Sequence, residues 1–406
     1  MAEYTIECSS CHYKAEQEPV YKCPVCGHIM EFHYQFSEDT EIIQPKNPGI
    51  FQFGNVLPVK EEQGLISLGE GNTPIVTAKY FEKNFDCRHI QYKLECCNPS
   101  GSFKDRAMAV AVTWAKQKGI RRILIASSGN ASAAAAAYAA RAEMELIAVV
   151  PEATPDNKVR QVLIHGGKII KVPGNFCRSY EFCQELAQEL GWFNLTTTFL
   201  NPYAKEGYKT IGYEIYRQMS EKSPDWIVVP TGDGPLLASI YQAFCELRQQ
   251  GKKVKMPRLV CVQAENCAPI VEAYRQGVSC GALAAEVRST IASGINDSLE
   301  GYEDDGDYTI ACIKQSGGEV ISLSEEEIKE SVQCLAEEGI FAEPAGAVSA
   351  KAIWYLIQQG KIQKHENVLG IITGHGLKNP LSTESETAPV VQSVGEALQA
   401  LGETKC

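Results

Sequence analysis

Two groups of residues in this chain have the types and spacing to do chemistry. The first is a lysine. Lys104 lies in "NPSGSFKDRAM" (Asn98–Met108), between a loop of small residues and an Ala-rich apolar run that reads as a helix start. Most lysines are solvated surface charges. The positive end of a helix disfavours a nearby ammonium, and burial disfavours it further, so this setting predicts a lowered pKa. A deprotonated lysine is a nucleophile that condenses with an aldehyde to a Schiff base. The second group is four cysteines, in "CSSC" (Cys8, Cys11) and "CPVC" (Cys23, Cys26). Thiolates two residues apart can face one ion, and a second such pair completes a tetrahedral set at about 2.3 Å. The four read as a structural Zn2+ site closing a small ribbon over residues 1–36, with His12 and His28 as stand-in ligands. Free or disulfide-bonded cysteines are the bland alternative.

The commonest cofactor using the lysine's chemistry is pyridoxal 5'-phosphate, whose ring takes up the electrons of a carbanion. It needs a phosphate cradle, and "TGDG" before a helix at Leu236 can supply backbone N–H groups. It needs a group at its ring oxygen, for which Asn130 is a candidate. It needs a partner at the pyridine nitrogen, and Thr373 closes an apolar strand at a suitable place.

The elements that must position these groups alternate. "RRILIA", "ELIAVVP", "KIIKV", "DWIVVP", "RLVCVQA" and "VLGIIT" read as buried strands, with a further strand at His89–Leu94. Between them lie helical runs: one to Lys118, the alanine run "ASAAAAAYAARA", Asp156–His165, Tyr180–Leu190, and "PLLASIYQAFCELRQQ". "LSEEEIKESV" carries a capping box, Ser324 with Glu327. Strand–helix alternation predicts an α/β fold with mostly parallel sheet. Ligands then gather at the C-terminal strand ends. Four small-residue turns fall there, "SGSFK", "SSGN", "TGDG" and "TGHG", and together they describe a site for an anionic ligand.

Bulk properties narrow the class. The 406 residues predict two or three units, and 44% hydrophobic with 22% charged residues is ordinary for a soluble protein. The formal charge of −12, with no Lys/Arg block, argues against nucleic acid as a partner. No apolar run reaches the ~18 residues of a membrane helix, and the N-terminus lacks the basic and apolar regions of a secretory signal. The expectation is a cytoplasmic protein without membrane partners. The twelve other cysteines read as small buried hydrophobes.

Several motifs then carry a resemblance. "GNTP" (Gly71–Pro74), "NPSGSFKDR", "SSGNASAAAAAYAARA", the "TGDG" turn, "EPAGA" (Glu343–Ala347) and "TGHGLKNP" (Thr373–Pro380) occur in an order similar to that of the threonine synthase family. That resemblance implies a two-domain, fold type II pyridoxal-phosphate enzyme, with parallel sheets flanked by helices and a small zinc ribbon in front. The catalytic region would span 37–406, with a smaller α/β subdomain at roughly 105–195. It implies that Lys104 is the Schiff-base lysine and the base for the Cα proton. Asn130 would bond the ring hydroxyl. Gly232, Asp233 and Gly234 would hold the phosphate, and Thr373 would meet the pyridine nitrogen. Ser127, Ser128, Gly129 and Ala131 would receive the carboxylate of a small amino-acid substrate. Such enzymes are commonly homodimers.

The sequence also departs from the family. Threonine synthases hold the phosphate of O-phosphohomoserine with a segment resembling N-S-x-N-P-x-R-x-E-G-Q-K-T. Here it reads "TFLNPYAKEGYKT", Thr198–Thr210, with Thr198, Phe199, Ala204 and Tyr208 at altered positions. Asp233 stands where the family often has a neutral residue. Losing a clamp arginine leaves a phosphate dianion uncompensated. Two readings follow: a threonine synthase whose pocket is rebuilt by Lys205, Arg178 or Lys209, or a relative that eliminates or replaces a β leaving group on another amino acid. "STIASGI" (Ser289–Ile295) and "EPAGA" resemble threonine and serine ammonia-lyases and lean towards the second. A non-catalytic cofactor-binding protein is a third reading, disfavoured because Lys104, Asn130 and Thr373 are all kept. Asp105 and Arg106 read as capping and pairing at the helix start, His375 as a loop residue, Glu343 as either a turn residue or a group facing the ring, and Cys96 and Cys97 as packing.

Overall fold

The computed structural model describes residues 2–379 except 38–39, 45, 220–221 and 284–287, and beyond them 391–393 and 396–397. The polar tail after Pro380, expected to end in a short helix-like piece, falls almost wholly outside the described residues.

Two parallel sheets form the body. The larger has six strands in the order Glu319–Leu323, Arg258–Ala264, Trp226–Pro230, Val368–Ile372, Ile90–Leu94 and Ile75–Thr77. All neighbours run parallel except the last pair, where Ile75 faces Lys93 in an antiparallel edge. The smaller sheet is wholly parallel, in the order Lys168–Val172, Glu145–Pro151, Arg122–Ala126, Phe193–Asn194. Trp226–Pro230 and Val368–Ile372 are buried at every residue, as strands covered on both faces must be. This is why they read in the sequence as short unbroken apolar runs. In Val368–Ile372, Gly370 lets the Tyr92 ring and Ile353 approach: a Cβ there would stand 3.0 Å from the ring.

One helix ties the sheets together. Pro202–Gln218 is capped by the Asn201 side chain, which accepts from Ala204 N, and is buried from Pro202 to Ile215. It crosses the helix Lys104–Gln117 at Gly207, where a Cβ would lie 2.1 Å from the Arg106 carbonyl oxygen. It crosses the helix Pro235–Gln249 at Gly212, where a Cβ would lie 2.4 Å from that of Ala243. Such contacts let backbones touch and fix the start of the Lys104 helix against its neighbour. The helix Asn130–Arg141 packs in the same way through its alanines, buried from Ala131 to Ala139.

The N-terminal segment is a hairpin, Glu3–Cys8 paired antiparallel with Met30–Gln35. It docks on the body. Tyr34 donates to Glu206 (2.8 Å), Lys205 pairs with Glu31 (2.6 Å), and Lys22 pairs with Asp305 (2.8 Å). Phe32 meets the Tyr203 ring edge-on at 5.5 Å.

Candidate active site

A cavity of about 430 Å³ opens between the two sheets, within the usual range for small-molecule sites. Its wall brings together Lys104, the turn Ser127–Ala131 with Asn130, the turn Gly232–Gly234, and Thr373. These come from the starts of three helices and the end of one strand. A larger and more open cleft, about 500 Å³ beside Tyr274, Ser322 and Tyr355, holds none of these groups.

Lys104 is the first residue of its helix. Its Nζ donates to Thr197 Oγ1 (3.2 Å) and sits 4.7 and 5.2 Å from the ring centres of Phe103 and Tyr208. The lowered pKa expected from the helix end is not what the structure gives. Burial does disfavour the ammonium, but Tyr208, Asp233 and Asp297 outweigh it and raise the pKa above the usual lysine value. These groups come from segments remote in sequence, and a purely local argument misses them.

The loop below the lysine is held by a buried charge network. Arg106 donates to both Glu95 oxygens (2.8 and 2.7 Å) and to both Glu214 oxygens (3.1 Å each). Lys93 completes it with Glu214 at 2.7 Å. Glu214 also accepts from the backbone N–H groups of Asn72 and Thr73, and Glu95 from the Asn98 amide. Two carboxylates and two cations therefore balance, and the pairs tie the "GNTP" and "NPSG" loops to the helix Pro202–Gln218. Asp105 accepts from the Ser100 N–H and hydroxyl (3.0 and 2.9 Å), which closes the turn before Lys104.

The phosphate-cradle candidate is built for an anion. Gly234 has φ +109°, and a Cβ there would stand 1.9 Å from Thr309 Oγ1, so only glycine fits. The N–H groups of Gly232, Gly234 and Leu236 find no protein acceptor among the described residues; Pro235 has none to give. Asp233 is the unexpected member. Burial pushes its carboxyl up to about 8, with the Asp297 charge adding to the shift and Lys104 opposing it. Asp297 accepts from Tyr302 Oη (2.7 Å) and Leu299 N (3.0 Å).

This arrangement has a pH signature. An unfolded aspartate titrates near 3.9. Between about pH 4 and 8 the folded state keeps a proton that the unfolded state has lost, so stability drains as pH rises through that window and levels off above it. Asp233→Asn is expected to raise the melting temperature of the cofactor-free protein more at pH 8 than at pH 5. Equal gains at both pH values, by thermal unfolding, would remove Asp233 as the source.

The sequence left Glu343 open between a turn and the ring, and it missed Asp297 and Lys378 on the wall. Asn130 donates to Glu343 Oε1 (2.6 Å), and burial pushes the Glu343 carboxyl up to about 6. Glu343 is thus on the cavity wall and not merely in a turn. Asp297, two residues beyond "STIASGI", and Lys378, inside "TGHGLKNP", lay in or beside quoted motifs but carried no separate signal. Lys378 donates to the Ser100 carbonyl and Gln161 Oε1 (2.8 Å each). Cys96 is buried and Cys97 exposed, both outside the wall. His375 accepts from Leu377 N (3.2 Å) as a loop residue.

At the other end of the molecule, the ligand atoms of Cys8, Cys11, Cys23 and Cys26 all lie within 4.8 Å of one another. Cys8 and Cys26 sulfurs are 3.4 Å apart, Cys11 and Cys23 3.5 Å. His28 instead faces Asp304, 3.3 Å away.

Comparison with known proteins agrees with this architecture. A family profile for pyridoxal-phosphate dependent enzymes matches residues 66–374. A threonine synthase of Methanocaldococcus jannaschii is 35% identical over 370 residues, 89% of this chain and 90% of that one. A threonine synthase of Methanosarcina acetivorans is 33% identical over 383 residues, 93% of each chain. Among solved structures, the processed form of threonine deaminase isoform 2 from Solanum lycopersicum superposes with a TM-score of 0.61 at 22% identity, covering 75% of this chain and 79% of that one. O-ureido-L-serine synthase does so with a TM-score of 0.62 at 22% identity, covering 80% and 96%. The chain belongs to the pyridoxal-phosphate dependent enzymes, with the fold type II architecture. Within that family it is a threonine-synthase-like lyase. Among the described residues, no helix is long and apolar enough to cross a membrane.

Proposed function

We propose that this enzyme carries pyridoxal phosphate on Lys104 and eliminates or replaces a β leaving group, other than a phosphate dianion, on an L-amino acid. The observation that carries the leaving-group claim is the state of the altered phosphate motif. Ala204 occupies the clamp arginine's position and is fully buried. Each cation that could replace the arginine is engaged elsewhere: Lys205 with Glu31 (2.6 Å), Lys209 with Glu206 and with Glu246 (3.1 Å), and Arg178 with Glu181 (3.2 Å). None of the three lines the cavity, whose wall carries Asp233 and Asp297 instead. Lys205, Lys209 and Arg178 therefore offer a second dianion no counter-charge there.

The residues fit the cofactor. The cavity has the volume, the Gly232–Gly234 turn has open N–H donors with Leu236 beyond, and Lys104 faces the same space. Gly232, Asp233 and Gly234 would hold the phosphate, with Asp233 protonated and so not opposing it. Asn130 would give the ring oxygen the amide hydrogen it does not spend on Glu343. Thr373 would meet the pyridine nitrogen with a hydroxyl, which does not force protonation and favours loss of a leaving group over transamination. Ser127, Ser128, Gly129 and Ala131 would take the substrate carboxylate at the N-terminus of the helix Asn130–Arg141. Bound there, the cofactor supplies an electron sink for the pair left at Cα. Lys104 removes the Cα proton. The four cysteines would hold zinc: ligands about 2.3 Å from one ion stand roughly 3.7 Å from each other, close to the observed sulfur spacings and far from a disulfide.

The second reading, turnover of O-phosphohomoserine to threonine, is favoured by the names of the relatives. It would have to hold the phosphate with Lys158 or Lys378, the remaining cations on the wall. The test is a panel of O-phospho-L-homoserine, O-phospho-L-serine, L-serine and L-threonine, following phosphate and keto acid together. Keto acid from an unphosphorylated substrate, with no phosphate release, is expected. Threonine and phosphate from O-phosphohomoserine would refute the leaving-group claim.

A further inference from the structure

Lys378 is a half-buried cation on the cavity wall that the fold leaves without a counter-ion. Its Nζ donates to the Ser100 carbonyl and to Gln161 Oε1, both neutral acceptors, and it forms no ion pair among the described residues. An ammonium has a third N–H to give. Glu343 and Asp105 are the charged groups that face it, but each is turned elsewhere, Glu343 to Asn130 and Asp105 to Ser100. Burial outweighs both and lowers the lysine's pKa. The side chain is firmly placed. Gly101 has φ +84°, and a Cβ there would stand 3.3 Å from Lys378 Cδ, so the stem lies against the glycine of the lysine loop. Gln161 lies on the helix Asp156–Ile164, which packs on Asn130–Arg141. Gln161 and Glu343 thus place Lys378 on the side of the cavity where the turn Ser127–Ala131 lies. In that turn the N–H groups of Ser128, Asn130 and Ala131 find no protein acceptor among the described residues.

We infer that Lys378 is the charged half of the site for the substrate's α-carboxylate, with the Ser127–Ala131 turn as its neutral half. A carboxylate leaving water needs a partner for its charge. A helix start offers only about half a unit of positive charge. An ammonium offers a whole one, and its bonds to a carboxylate are roughly twice as strong as bonds between neutral groups. The need is mutual. Burial disfavours the Lys378 ammonium, and a bound carboxylate favours it again. Lys378 keeps its proton throughout, and no bond to it is made or broken. With Lys378 given to the carboxylate, Lys158 is left as the one wall cation for a phosphate, which strengthens the case against a phosphorylated substrate.

The inference rests on the reading that amino acids react with a cofactor held by Lys104, and one experiment separates the two. Cofactor-loaded wild type, Lys378→Gln and Lys378→Arg are titrated with three amines, followed by the cofactor's visible absorbance. L-Alanine carries an α-carboxylate, L-alaninamide carries none, and L-isoasparagine carries its only carboxylate on the side chain. Wild type is expected to prefer L-alanine to L-alaninamide by about ten-fold or more. In Lys378→Gln the half-saturating L-alanine concentration should rise by about ten- to one-hundred-fold, the worth of one hydrogen bond to a charged group. The other two ligands should move by less than about two-fold, since they place no carboxylate there. Lys378→Arg, which keeps the charge, should recover most of the loss. Unchanged L-alanine binding in Lys378→Gln would overturn the inference. So would equal weakening of all three ligands, which marks a merely structural tie, or weakening of L-isoasparagine alone, which marks a side-chain anion. Should Lys378→Gln fail to fold, a wild type that does not prefer L-alanine to its amide overturns it just as well. Peptide mass after borohydride reduction that places the cofactor on another lysine, or no absorbance change with any amine, would overturn the underlying reading and the inference with it.

Discussion

Lys104→Ala protein is expected to fold, to take up pyridoxal phosphate without a covalent link, and to lose turnover by ~10³-fold or more, as removal of a nucleophile that also serves as the general base should. Folding survives because the substitution removes little that the structure depends on. Alanine is the best helix former, and it would occupy the first residue of Lys104–Gln117. The lysine spends one hydrogen bond, to Thr197, and otherwise faces the cavity. The anchoring of the loop lies elsewhere, in the Arg106–Glu95–Glu214 network and the Asp105–Ser100 turn. The measurement is intact mass after borohydride reduction, read beside activity on whichever amino acid the wild type turns over. Wild type should gain the cofactor's mass and the variant should not. A variant that still gains it, or that keeps wild-type turnover, would mean that the reacting lysine is another one and that the site has been assigned to the wrong helix.

The strand–turn–helix order was legible because buried parallel strands are short runs of β-branched residues ended by small ones. "DWIVVP" followed by "TGDG" needs no partner to be recognised, and neither does the capping box of Ser324 and Glu327, which forms as read. The helix Pro202–Gln218 was not legible as an element. It carries Pro202, Gly207, Gly212 and tyrosines at 203, 208, 213 and 216, a poor helical composition. Its glycines are explained only by the helices that cross it. Phe176–Leu190 starts four residues before the expected Tyr180 because Asn175 caps it, accepting from Arg178 N. The hairpin strands Glu3–Cys8 and Met30–Gln35 were hidden by their alternating polar residues.

Charges were the least legible feature. Lys205 and Lys209 look in the sequence like free cations near a phosphate motif. Glu31, the partner of Lys205, and Glu246, which joins the local Glu206 on Lys209, are distant along the chain, and the fold brings them in. The same holds for Lys104, whose helix-end environment is local while the acids that override it are not. A motif predicts which residues meet the ligand; the sign of the field they meet is set by the rest of the molecule.

Removing metal from the four cysteines is expected to lower the melting temperature sharply and to weaken the cofactor site with it. A structural zinc site contributes its binding free energy to folding, on the order of 10 kcal/mol in small zinc modules. The loop between Cys8 and Cys23 is also tied to the body, Glu18 to Lys118 (2.7 Å), Val20 N to Tyr203 Oη (3.3 Å) and Asn194 N to Tyr21 Oη (2.8 Å), so its release would loosen those contacts too. Loss of the metal would not stay local. Lys205 and Glu206 sit on the helix that carries Tyr208, and both are satisfied by the hairpin, through Glu31 and Tyr34. Lys209 lies 4.1 Å from the Tyr34 ring centre. Breaking a buried ion pair typically costs about 3–5 kcal/mol, because a charge is left buried without its partner. Lys22 releases Asp305, whose other oxygen accepts from Phe199 N in the altered phosphate motif. Cys11 and Cys26 are exposed, so a chelator can reach the site. The check is metal analysis of the purified protein, then calorimetry and pyridoxal-phosphate affinity before and after chelation, with Cys26→Ser alongside. One zinc per chain, a fall of many degrees, and a weaker cofactor affinity are expected. A protein that holds no metal as purified and as reconstituted, or whose melting temperature is indifferent to chelation, would leave the four sulfurs as a packed thiol cluster and the hairpin as an independent support.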